Sequence, residues 1–317
     1  MALAAELCRG GHEVTVWSAT GRRIGEIAET RRHPDLPGLV IPEAVRFAGD
    51  MASACENKDV LIFAVASVYV RETARRAAPF LTPGQVVVDV AKGVEPETML
   101  TMTRVLESEL PAGVPLVALS GPTHAEEVAL GLPTTAVSAS ENGDAAKLVQ
   151  ELFANTCLRI YTGSDVLGVE LCGAMKNIIA LAAGVAAGLG YGDNTKAAII
   201  TRGIAEITRL GEKMGCRRET FAGLAGIGDL IVTATSRHSR NNRCGMLIGQ
   251  GAEPQEAVKQ VGMVVEGINA LPAAMELQEK YQVELPIITA VNNVVNHGES
   301  PAEAVRKLMS RDMREER

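Results

Sequence analysis

Five short aliphatic runs fill the first half of the chain, at 12–17, 59–65, 85–90, 115–120 and 134–138, and then such runs stop. Each is closed by turn residues and separated from the next by helix-like segments such as 68–78 and 99–110. Runs of this length with both faces apolar predict strands covered on both sides. Strands alternating with helices predict an α/β fold with a parallel, doubly wound sheet. After Thr162 the pattern turns to helix after helix, punctuated by Gly or Pro at 211, 215, 223, 249, 251, 262, 272, 286, 298 and 301. A boundary is therefore expected within 163–175, giving a dinucleotide-binding domain over 1–170 and an all-helical substrate and catalytic domain over 171–317. A chain of 317 residues can bury two such cores. Ligands of doubly wound proteins sit beyond the carboxyl ends of the strands, in the crevice between domains.

The helical half opens on a stretch of Gly, Ala, Leu, Ile and Val with one charge in it. Lys176 is the only charged residue between Glu170 and Asp193. Small and apolar character over more than five turns predicts a helix buried on most faces. A Lys on such a helix either reaches out to water or lies in a polar pocket. In a pocket, loss of solvent eases proton release, which suits general acid and base work.

Charge and cysteine usage exclude several classes. The net charge of −7 argues against a general nucleic-acid binder. Six cysteines stand singly, at 8, 55, 157, 172, 216 and 244, with no CxxC pair and no metal-ligand spacing. They predict buried thiols in a reducing compartment and no metal. The first nine residues do not form a signal peptide. The apolar run at 178–191 is broken by glycines and is short for a membrane span. A cytoplasmic enzyme without membrane or nucleic-acid partners is expected, its oligomeric state open, with a homodimer as one option.

The start of the chain predicts a gap. Residues 1–9 read as a helix running into the Gly10-Gly11-His12 turn and the strand at Val14. In a dinucleotide-binding βαβ unit this is the second half, helix then second strand. The first strand and its glycine-rich loop would stand immediately before Met1, roughly a dozen residues. Without them the sheet has an unpaired slot at its centre, and the 317 residues as given would bind NAD(P)H poorly.

Four further segments carry polar groups where chemistry could use them. Lys92 follows the 85–90 run, and Ser120-Gly121-Pro122-Thr123-His124-Ala125 follows the 115–120 run, so both lie at strand carboxyl ends. Asp229 sits in Ala225-Gly226-Ile227-Gly228-Asp229-Leu230 at the start of a helix. Residues 236–243, with Ser239, Arg240 and Asn241, form a basic loop feeding a helix near Cys244. Each has a plainer reading: a closed strand end, a helix cap, a solvated loop.

Taken in order, these strings resemble the bacterial NAD(P)-dependent sn-glycerol-3-phosphate dehydrogenase family. The matching strings are the helix, turn and strand over 2–17, Ala91-Lys92-Gly93, Ser120-Gly121-Pro122-Thr123, Gly173-Ala174-Met175-Lys176-Asn177, Thr201-Arg202-Gly203, Gly226-Ile227-Gly228-Asp229-Leu230, Ser239-Arg240-Asn241 and Val265-Glu266-Gly267. The resemblance runs from Met1 nearly to the end. It implies a Rossmann-like domain, lacking its first strand, followed by an all-α domain. It implies reduction of dihydroxyacetone phosphate to sn-glycerol 3-phosphate with NADPH or NADH, supplying glycerol phosphate for phospholipid synthesis. Lys176 matches the acid/base. Lys92, Gly121, Thr123, Asn177, Asp229, Thr233, Ser239, Arg240 and Asn241 match substrate contacts. Lys92, Ala125, Arg240, Val264 and Glu266 match cofactor contacts.

The chemistry agrees with these roles. Hydride arriving at C2 places negative charge on the C2 oxygen, where a cation able to donate a proton stabilises it. Arg240 at a helix entry suits a phosphate dianion, and two lysines at one site would ease each other's deprotonation. The second strand ends without an acid before Glu26, and Arg22-Arg23 follow, which favours the 2′-phosphate of NADP without excluding NAD. Two rivals stand beside this reading. One is a two-domain dehydrogenase of 3-hydroxy acids or ketopantoate, disfavoured by the Ser-Arg-Asn loop. The other is a catalytically impaired remnant, favoured by the absent glycine loop and opposed by the polar residues named above.

Overall fold

The computed structural model describes all residues except Thr20, Arg22, Arg314, Glu316 and Arg317. By packing, the chain divides into two units: Met1–Lys92 with Leu100–Glu170, and Gly93–Met99 with Leu171 onwards.

The first unit alternates helix and strand. Its elements are α1 (Ala2–Arg9), β1 (Thr15–Val16), α2 (Ile24–Thr30), β2 (Arg32–His33), β3 (Leu36–Val40), β4 (Arg46–Phe47), α3 (Met51–Cys55), β5 (Val60–Phe63), α4 (Val70–Ala77), β6 (Val86–Asp89), α5 (Met102–Glu109), β7 (Leu116–Ser120), α6 (Ala125–Ala129), β8 (Thr134–Ala139), α7 (Gly143–Leu152) and β9 (Leu158–Gly163). The five predicted runs all become strands, β1, β5, β6, β7 and β8. The hairpin β2–β3, the two-residue β4 and the edge strand β9 are additions to the expected set.

The main sheet has the order β5-β6-β7-β8-β9. All four residues of β6 are buried, which is why its sequence is an unbroken Val-Val-Val-Asp rather than an alternation. Val86 and Val88 enter one core with Val117, Leu119, Val149 and Phe153, while Val87 enters another with Leu61, Phe63, Val70 and Leu106. The sheet is thus covered on both faces, as in a Rossmann-like α/β fold. One pairing departs from the all-parallel expectation: β7 and β8 are antiparallel, with Leu119 opposite Ser138. The connection between them carries only the five-residue α6, and the chain returns in the opposite direction. Among the described residues, β1 pairs only with β4, as a separate parallel ladder. Among the described residues no strand joins β1 to β5.

The helix α8 (Val166–Gly188) begins at the end of the first unit. Its first buried carboxylate, Glu170, accepts hydrogen bonds from Thr103 N at 2.7 Å and Thr103 Oγ1 at 2.6 Å, and so caps the first turn of α5. Burial pushes the Glu170 carboxyl above its ordinary range. By length and hydropathy α8 could cross a membrane, but 89% of its apolar window is buried inside the fold.

The second unit is helical: the remainder of α8, α9 (Asp193–Lys213), α10 (Arg218–Phe221), α11 (Asp229–Thr235), α12 (Arg240–Gly249), α13 (Pro254–Val261), α14 (Glu266–Asn269), α15 (Leu271–Tyr281), α16 (Pro286–Asn296) and α17 (Pro301–Met309). Residues 168–186 of α8 are all buried, which explains why that stretch tolerates almost no charge.

Candidate active site

Lys176 lies in the middle of α8 and is only 4% exposed. It does not reach water. Its Nζ donates to Asp229 Oδ1 at 2.8 Å and to Thr233 Oγ1. Both partners sit on α11, one turn apart, and are 1% and 4% exposed. Asp229 is therefore not a helix cap. It follows the turn at 224–228, where Gly226 has φ −91° and ψ −107° and where a Cβ would lie 2.1 Å from the Phe221 carbonyl. Only glycine lets that turn close and bring the carboxylate under α8. The Asp229 charge offsets the cost of burying an ammonium, which alone would amount to several kcal/mol.

Beside this pair lies a second buried network. Asn177, next to Lys176 on α8, donates through Nδ2 to Gly173 O at 3.0 Å and accepts through Oδ1 from Asn241 Nδ2 at 2.9 Å. Asn241 Oδ1 in turn accepts from Gly267 N at 2.8 Å. Both amide side chains are less than a tenth exposed. Gly267 approaches closely enough that a Cβ would stand 2.5 Å from Asn177 O. That backbone partner was not foreseen in the sequence, although the glycine of Val265-Glu266-Gly267 marks the place. Val264 and Glu266, both half-buried, lie immediately before it.

Arg240 is the first residue of α12, which starts earlier than the expected Cys244. The reason is Ser239, which caps the helix by accepting from Asn242 N at 3.2 Å. The Ser239 hydroxyl is thus engaged by α12 itself. Arg240 is half-buried at the positive end of a ten-residue helix, a position suited to an anion.

In the first unit a smaller group forms at strand carboxyl ends. Lys92 Nζ donates to Gly121 O at 2.8 Å and lies 3.5 Å from Thr123 Oγ1. Gly121 packs so tightly on β8 that a Cβ would come within 2.9 Å of Ala136 Cα. Ala125 opens α6 and is exposed. The structure therefore brings the proposed site residues together in two groups, one in each unit: Lys92, Gly121, Thr123 and Ala125, and the Lys176–Asn241 set with Val264 and Glu266.

The residues present fit a dinucleotide at these strand ends. Ser120 Oγ, at the end of β7, is buried and has no hydrogen-bond partner among the described residues. An unmet hydroxyl there matches a ligand polar group, at the place where doubly wound sheets bind cofactors. Of the arginines expected near a 2′-phosphate, Arg22 lies outside the described residues, as does Thr20. Arg23 is engaged with Asp35 at 2.8 Å, both half exposed.

Comparison with known proteins gives a consistent result. The family model for the NAD-dependent glycerol-3-phosphate dehydrogenase N-terminus matches residues 1–146, and that for the C-terminus matches 165–306. A glycerol-3-phosphate dehydrogenase (NAD(P)+) of Lactobacillus delbrueckii subsp. bulgaricus is 58% identical, covering 100% of this chain and 95% of the relative. One from Agathobacter rectalis is 51% identical, covering 98% and 93%. The crystal structure of a glycerol-3-phosphate dehydrogenase from Coxiella burnetii superposes with a TM-score of 0.93 at 34% identity, covering 98% of this chain and 95% of that one.

Proposed function

The chain belongs to the NAD-dependent glycerol-3-phosphate dehydrogenase family, and on that premise we propose that Lys176 is its acid/base in the interconversion of dihydroxyacetone phosphate and sn-glycerol 3-phosphate. The enzyme is an oxidoreductase using NADH or NADPH. Family membership sets aside the readings as a ketopantoate or 3-hydroxyacid dehydrogenase.

The observation that carries the residue assignment is the buried Lys176–Asp229–Thr233 cluster beside Arg240 and the Asn177–Asn241 pair. The cofactor, when bound, would supply the hydride that reduces the ketone. Lys176 Nζ holds a proton and gives it to the C2 oxygen as negative charge develops there. Asp229 Oδ1 and Thr233 Oγ1 fix the direction of the ammonium and favour its return to the charged form after transfer. In the oxidative direction the neutral amine takes the C2 hydroxyl proton. Arg240 and the amino end of α12 hold the phosphate dianion. Lys92, positioned by Gly121 O, contacts substrate and cofactor, with Gly121, Thr123, Ala125, Val264 and Glu266 as further contacts. Asn177 and Asn241 orient the substrate, and Ser239 supports them by holding the start of α12.

Bacterial relatives and cysteines that form no disulfide support a cytoplasmic setting, in which the product feeds phospholipid synthesis. A substrate panel tests the reading. With NADPH or NADH present, dihydroxyacetone phosphate should be reduced and ketopantoate should not. Faster turnover of ketopantoate would overturn the assignment.

A further inference from the structure

The helices α8 and α12 run parallel and in contact, and along one side of that contact α8 residues meet α12 residues 64 positions later. Asn177 hydrogen-bonds Asn241. Four residues on, Leu181 O lies where a Cβ on Gly245 would be 2.1 Å away. Four further on, Val185 O lies 2.2 Å from a Cβ placed on Gly249. The opposing glycines are equally tight: Gly184 against Asn242 O at 2.1 Å and Gly188 against Met246 O at 2.2 Å. Two glycines on each helix thus let the backbones touch, and the buried asparagine pair is the first rung of the same ladder. Lys176 and Arg240 immediately precede the two members of the hydrogen-bonded pair Asn177–Asn241, so each is carried by the helix backbone next to that rung.

From this register we infer that the glycine-lined contact between α8 and α12 fixes the separation of Lys176 from Arg240, and so measures the distance from reacting carbonyl to phosphate in the substrate. Gly184, Gly188, Gly245 and Gly249 are positioning residues that set chain-length specificity. The inference rests on the roles proposed above for Lys176 and Arg240. A methyl group 2.1 Å from a carbonyl oxygen must move away by about 1 Å or more to reach ordinary contact. The obstacle is helix backbone, which no side-chain rotation relieves. The cation pair would open by a comparable amount, and misplacement of about 1 Å costs up to 10²-fold in rate.

The test compares kcat/KM for dihydroxyacetone phosphate with that for the ketotetrose 4-phosphate, in which one more carbon separates carbonyl from phosphate. Gly245→Ala should shift the ratio toward the longer substrate by about tenfold or more. Gly249→Ala, one turn further from the site, should shift it less, in the same direction. Asn241→Ala, which removes the first rung without adding bulk, should also lower the preference for the shorter substrate and covers the case in which the glycine variants fail to fold. Gly211→Ala is the control. A Cβ there would meet the buried Phe221 ring at 2.0 Å, so stability should fall while the substrate ratio stays at the wild-type value. A wild-type ratio in every folded α8–α12 variant, or an equal shift in Gly211→Ala, would overturn the inference. Failure of the wild-type chain to reduce either ketose phosphate would instead refute the function on which it rests.

Discussion

Lys176 and Asp229 form a buried pair in which each charge depends on the other. Lys176→Met should abolish turnover, and it should also destabilise the fold, because it strands a carboxylate that is 1% exposed. Breaking a buried pair from one side costs roughly 3–5 kcal/mol. Replacing both partners, as Lys176→Met with Asp229→Leu, should recover most of the lost thermal stability and none of the activity. A double variant as unstable as the single one would show that the pair is not the source of the loss. Arg240→Ala should act on binding instead. Loss of a charge-assisted phosphate contact costs about 2–5 kcal/mol, so KM for dihydroxyacetone phosphate should rise by roughly 30-fold or more with a smaller change in kcat. An unchanged KM would remove Arg240 from the phosphate site. At this scale the sequence was informative where composition made a residue stand out. Lys176 is legible because no other charge stands between Glu170 and Asp193. That Asn241 would hold the Gly267 amide was not, because a backbone N–H leaves no mark of its own in a sequence.

One helix of the helical half is held at its start by a buried carboxylate from another helix. Glu206 on α9 accepts from Ile287 N at 2.8 Å and Ile288 N at 3.3 Å, and so caps α16. Burial pushes its carboxyl from 4.5 up to about 7, against the pull of those amides and of Arg209 and Arg202. The folded-state value exceeds the unfolded one. The stabilising proton is therefore fully effective below about pH 4.5, and its contribution of about 3 kcal/mol is lost as pH rises through about 7. Glu206→Gln, which keeps an acceptor and cannot ionise, should flatten the decline of Tm between pH 5 and pH 8. A decline as steep as wild type would assign it to another group. Element prediction succeeded where burial was one-sided or complete. The all-buried β6 is visible as a valine run, and α8 as a stretch of small residues. The two-residue β4 and the bulged hairpin β2–β3 are too short to impose a period. The reversed β8 was missed for another reason: apolar patterning says which face is buried but carries no direction.

At the scale of the whole chain, the order of elements and motifs was the strongest signal. An alternating α/β half followed by a helical half was legible from periodicity alone, whereas the reaction was legible only because Lys-Asn, Gly-x-Gly-Asp-Leu and Ser-Arg-Asn occur in one sequence. The 58% identity to a glycerol-3-phosphate dehydrogenase across the full chain agrees with that reading. The central claim is that the buried ammonium of Lys176 delivers the proton to the C2 oxygen. Its most direct test is NADPH oxidation driven by dihydroxyacetone phosphate, measured for wild type and for Lys176→Met with Asp229→Leu, with circular dichroism on the same samples. Helical content should be preserved while turnover falls by at least about 10²-fold. Retention of more than about a tenth of wild-type turnover would contradict the claim.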